Sequence, residues 1–133
     1  MLISSSQQLL DGARRLVDAR PADLFGELIA FHAVFAVDNR SVITVQSRDL
    51  INATVADQRR VRRLQARYAT LWVDAVLSCD DGVNKRTARA AVHAMFGLIN
   101  STPFSATLPR ARMIDLLVAM ATVALSQLPR LPE

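Results

Sequence analysis

Apolar side chains recur along this chain every three to four residues, the spacing of one face of a helix, in segment after segment. Leu9, Leu10, Ala13, Leu16 and Val17 predict a first helix over residues 5–19. Pro21 stops it, because the residue before a proline is pushed out of the helical region. Pro21 then suits the first position of a second helix, with Asp23 in its favourable first turn. That helix carries Leu24, Leu28, Phe31, His32 and Phe35 on one face and ends near Asn39. Ser41-Val42-Ile43-Thr44-Val45 is the one β-leaning run. A lone strand has nothing to pair with, so this run predicts a short helix or an extended connector. Thr54 and Asp57, three residues apart, fit a capping box. They open a long helix to about Ser78 with a stripe of Val61, Leu64, Tyr68, Leu71, Trp72 and Ala75. After the Asp80-Asp81-Gly82 loop, a fifth helix runs over residues 86–101 until Pro103, and a sixth runs from Pro109 to about Leu128. The fold expected is all-α: a single domain over residues 1–133, an antiparallel bundle of about six helices without internal repeats.

The last two helices are apolar on more than one side. In the fifth, Ala88, Val92, Met95, Phe96 and Ile99 form a face of large residues, and opposite them Ala90, Ala94, Gly97 and Ser101 form a ridge of small ones. A row of small side chains lets another helix approach closely and gain dispersion contact. In the sixth, Met113, Leu117, Met120, Ala121 and Ala124 centre one face, and Ile114, Val118 and Leu125 widen it beyond half the circumference. A helix apolar nearly all round must be covered nearly all round. The expectation is a symmetric homodimer in which these helices pack on a second copy through Ala90, Ala94, Gly97, Ser101, Ile114, Leu117, Val118, Ala121 and Leu125. The alternative is that both are central core helices of one chain.

Composition narrows the class. With 51% hydrophobic and 21% charged residues, the chain of 133 residues is neither disordered nor too small for one substantial core. The most membrane-like stretch, Leu116 to Leu125, falls short of the roughly 18 apolar residues of a span, so no membrane partner is expected. Met1 to Ser6 lacks the pattern of a secretory signal, and the single cysteine, Cys79, cannot form an internal disulfide. A cytoplasmic location is expected. The net charge of +4 is compatible with an acidic partner without demanding one. The arginines of Arg59-Arg60-Val61-Arg62-Arg63-Leu64-Gln65-Ala66-Arg67 do not share a face, which favours a solvated helix over a nucleic-acid-binding one.

No catalytic, cofactor or metal pattern emerges. His32 and His93 lack metal-ligand spacing, Cys79 has no histidine near it in sequence, and no glycine-rich phosphate loop or nucleophile elbow is present, so no enzyme, cofactor or metal is expected. Polar residues set among apolar ones say more. His32 lies between Leu28 and Phe35, Arg67 and Tyr68 border the stripe bearing Leu71 and Trp72, and Asn100 edges the face bearing Phe96. This set suggests a mainly apolar cavity with a few polar anchors, the usual form of a small-molecule site. The alternative is a satisfied polar core, with His32 bonded to a backbone carbonyl and Arg67 paired to Asp74.

Arg59 to Asp74, RRVRRLQARYATLWVD, resembles the long helix in the effector-binding half of TetR-family transcriptional regulators. AAVHAMFGLINSTP from Ala90, the following MIDLLVAMATVAL, and the earlier LIAFHAVFAVDNRSVITVQSRDL are similar to members of that family too. The resemblance implies a ligand-sensing domain of a repressor that dimerises through its last two helices as a four-helix bundle, with an apolar or amphipathic effector held between the helices bearing His32, Phe35, Arg67, Tyr68, Trp72 and Phe96. It implies acyl chains, acyl-CoA or steroid-like molecules as ligands. The family's helix-turn-helix head has no counterpart in this sequence, so the chain alone is not expected to contact DNA. A free-standing carrier for an apolar small molecule is the alternative.

Overall fold

A computed structural model describes residues 2–80 and 82–130, the side chains of Gln46, Ser47 and Phe104 excepted. Helices α1 (Leu2–Ala19), α2 (Leu24–Asp38), α3 (Arg40–Asn52), α4 (Val55–Cys79), α5 (Lys85–Ile99), α6 (Thr102–Ser105) and α7 (Arg110–Ser126) follow one another, and the described residues contain no strand. The all-helical class expected from the spacing is what the chain adopts.

Local chemistry sets the boundaries. Arg20, ahead of Pro21, sits in the left-handed region at φ 49°, and α1 stops there. Pro21 does not begin α2. Asp23 does, as its N-cap, its carboxylate accepting the Gly26 N–H at 3.0 Å. Thr54 caps α4 by accepting the Asp57 N–H at 3.1 Å, and Asn84 caps α5 by accepting from Thr87 at 2.7 Å. The β-leaning run 41–45 is helical, inside α3. Propensity yields there to packing, because α3 lies against α1 and α6. Pro103 does not end the structure but sits in the first turn of α6, where its missing N–H costs nothing.

α2 is the hub. It packs on every other helix, and Leu28, Ile29, Ala33 and Ala36 are wholly buried on it. α4 lies between α1 and α5, burying Trp72 and Val73 completely. α7 lies on α2 and α5 and closes the core with Met113, Leu117, Ala121 and Leu125. An exposed bidentate pair, Arg110 to Asp38 at 2.7 and 2.8 Å, ties the start of α7 to the end of α2. No described helix is long and apolar enough to cross a membrane.

The dimer face expected from sequence changes accordingly. Leu117, Ala121 and Leu125 point into the chain's own core, and Ile114 and Val118 pack half-buried against it. The large apolar side chains that α7 leaves exposed are Leu116, Met120 and Val123. On α5, Ala90, Ala94 and Gly97 do remain open, and a Cβ on Gly97 would meet nothing within 4 Å. Ser101 leaves this ridge: it follows the end of α5, and its hydroxyl turns back to the Leu98 carbonyl at 2.6 Å.

Candidate functional site

A partly enclosed cavity of about 230 Å³ lies where five helices meet. α1 contributes Leu2, Ser5, Ser6 and Leu9 from its first turns, and α3 contributes Val42 and Ile43. The other three helices each contribute a polar residue and, three positions later, an aromatic one: His32 and Phe35 on α2, Gln65 and Tyr68 on α4, His93 and Phe96 on α5. Residues three apart share a helix face, so each pair brings one polar and one flat apolar group to the same wall. Asn100, the C-cap of α5, completes the lining.

His32 is the centre of the polar part. Its Nδ1 lies 2.7 Å from the Tyr68 hydroxyl and its Nε2 3.0 Å from Asn100 Oδ1. The side-chain oxygen of Asn100 only accepts, so Nε2 carries the proton and donates, and Nδ1 accepts from the Tyr68 O–H. Aromatic rings hold this arrangement. Phe96 stacks on His32 and on Tyr68, with centroids 5.0 and 5.5 Å away. Trp72 meets His32 and Phe96 edge-on at 5.9 and 5.2 Å.

Burial keeps both titratable members neutral. Loss of water lowers the His32 pKa to about 4, a fall that the Asn100 hydrogen bond only partly opposes. Burial also pushes the Tyr68 phenol above its ordinary value, opposed by the nearby Trp72 N–H. That N–H does not reach hydrogen-bond geometry and is a buried donor without a partner. With both nitrogens engaged and its charge disfavoured, His32 shapes the site's polarity instead of offering a free base.

No protein-family model matches the chain, and no curated protein matches it. The chemistry of the cavity therefore rests on its own residues.

Of the residues singled out from sequence, His32, Phe35, Tyr68, Phe96 and Asn100 line the cavity together. Trp72 stands behind it, wholly buried, as support for the rings. Arg67 and Leu71 do not reach it. They lie with Leu10, Arg14, Ala66 and Thr70 along a shallow groove between α1 and α4. The reason is angular: Arg67 neighbours Tyr68 in sequence, but successive helical residues diverge by about 100°. Arg67 is exposed and makes no ion pair with Asp74, and His32 bonds side chains instead of a backbone carbonyl. The reading from sequence missed the contributions of α1 and α3, together with Gln65 and His93. The polar-then-aromatic spacing repeated on three helices was the available signal. Among the described residues, no three histidine, cysteine or carboxylate side chains gather as a metal-holding group.

Proposed function

We propose that the chain is the ligand-sensing and dimerisation domain of a TetR-like transcriptional repressor, with a small, mainly apolar effector held in the cavity at His32. The observation that carries this reading is the cavity itself: aromatic walls around a hydrogen-bonded Tyr68–His32–Asn100 cluster. Such convergence of a few placed polar groups on an apolar hollow is the form small-molecule sites take. The resemblance of the α4 and α5 segments to the effector-binding half of that family supports the same conclusion.

α5 supplies the link between sensing and pairing. One of its faces carries Phe96 to the cavity, and Ala90, Ala94 and Gly97 stay open on another. In this reading the open ridge and the exposed Leu116, Met120 and Val123 of α7 meet a second copy of the chain. A ligand that moves Phe96 then tilts the helix on which the partner rests, and the two-state element is the dimer geometry. The repressor acts in the cytoplasm, where Cys79 stays a free thiol.

Trp72 is the sole tryptophan and touches Phe96, so its fluorescence reports on the cavity. A library of small amphipathic compounds is expected to contain members that change this emission and raise the thermal midpoint. Sedimentation at micromolar concentration is expected to show a dimer. A clean monomer overturns the pairing, and a library without any effect overturns the sensing.

A further inference from the structure

The hydrogen bonds around His32 run in one direction. Tyr68 donates to Nδ1 and Nε2–H donates to Asn100 Oδ1. The buried indole N–H of Trp72, which can only donate, lies beside Tyr68. The chain ends on the amide nitrogen of Asn100, a residue of the cavity wall, and no described group accepts its two N–H bonds. At Asn100 the cavity therefore offers a donor, while Ser6, Gln65 and His93 supply the other polar groups of its wall.

Charge is the second constraint. No arginine, lysine, aspartate or glutamate is among the described lining residues, and the basic side chains of Arg14 and Arg67 open onto the separate groove between α1 and α4. A carboxylate or phosphate in the cavity would lose its water without meeting a cation, and an ammonium would lose its water without meeting a carboxylate. The volume of about 230 Å³, filled at the interior packing density of about 0.74, holds about ten non-hydrogen atoms.

We infer that the cavity selects an uncharged molecule of that size which presents a hydrogen-bond acceptor, such as a ketone, ester or lactone carbonyl, to the Asn100 amide. Its hydrocarbon part lies against Phe35, Ile43, Phe96 and Leu9. This rests on the reading of the cavity as an effector site and narrows it: fatty-acid anions and coenzyme A esters are the wrong class.

Calorimetric titration of the full chain with hexyl methyl ketone, octanoate and octylamine, at about pH 8, where the acid and the amine are both ionised, tests this. The ketone is expected to bind at least about tenfold more tightly than either ion. It is also expected to shift the Asn100 side-chain N–H₂ signals in a proton–nitrogen correlation spectrum. Asn100→Asp keeps the acceptor for His32, removes the donor and adds a negative charge. It should weaken the ketone about fivefold and bring octylamine ahead of it. If that variant does not fold, the wild-type Asn100 signals and the ketone-to-ion ratio decide the matter. Octanoate or octylamine binding as tightly as the ketone, or a His32 ring protonated on Nδ1, overturns this proposal and leaves the effector site standing. Failure of all three probes to bind overturns this proposal, and a library without effect overturns the effector site as well.

Discussion

α2 and α7 carry nearly the same pattern, with apolar residues over most of the circumference, and the fold treats them differently. α2 packs on all the other helices and hides Leu28, Ile29, Ala33 and Ala36 completely. α7 rests on α2 and α5 and leaves Leu116, Met120 and Val123 exposed by 42%, 46% and 65%. An apolar girth states that cover is favourable by about 25 cal/mol per Å². It does not state which neighbour supplies the cover. In α2 the alanines at 30, 33 and 36 let neighbours approach closely, and the helix lies in the middle. α7 lies at the outside, and no other described helix covers its exposed side.

The strongest way to break this comparison is to cut a leucine from each helix. Leu28→Ala is expected to cost about 2–5 kcal/mol, because the hub cannot collapse around the cavity left behind. Leu116→Ala is expected to change the dilute chain by no more than about 0.5 kcal/mol. Urea unfolding measures both. Equal losses would erase the distinction, and a loss at Leu116 that grows with protein concentration would place a second copy on α7.

Acid separates the two helices next, since α2 carries the buried titratable group. The His32 pKa is about 4 in the fold and 6.5 in a free chain. The unfolded state therefore takes the proton first as pH falls. Stability holds above about pH 6.5, declines below it, and has lost roughly 3 kcal/mol by about pH 4. Asp38 and Asp80 do not confuse this window. A hydrogen bond from Arg110 lowers the first, the Gly82 N–H and then Arg130 lower the second, and both lose their contribution only at still lower pH. Thermal midpoints measured across this range should slope for the wild type and flatten for His32→Gln.

The smallest effects come from two glycines. A Cβ on Gly12 of α1 would run into the Phe31 ring of α2. Moving that ring outweighs the better helix propensity of alanine, so Gly12→Ala should lose about 1 kcal/mol. Gly97 faces open space, and Gly97→Ala should gain up to about 1 kcal/mol in the dilute chain. If a partner helix lies on that ridge, the same methyl weakens the dimer, which sedimentation of the variant would reveal.

Much of the fold was readable along the chain because its causes are local. The Thr54 cap lies three residues from the amide it satisfies, and the stripe from Val61 to Ala75 recurs within single turns. The shared wall of His32 and Phe35 was readable for the same reason. The bonds from His32 to Tyr68 and Asn100 join residues 36 and 68 positions apart, and no local pattern encodes such a distance. Arg67 was misplaced because adjacency to Tyr68 in sequence is divergence on a helix.

By itself, the sequence determined that the chain is helical, where most helices begin and end, and which faces must be covered. Periodicity and capping act over a few residues and survive any rearrangement of the whole. The tertiary structure alone decided that α2 is the covered hub and α7 the open flank, that the first turns of α1 wall the cavity, and that Leu117 serves the chain's own core. Those outcomes depend on how the seven described helices share a limited volume, a competition settled by packing among segments far apart in the chain.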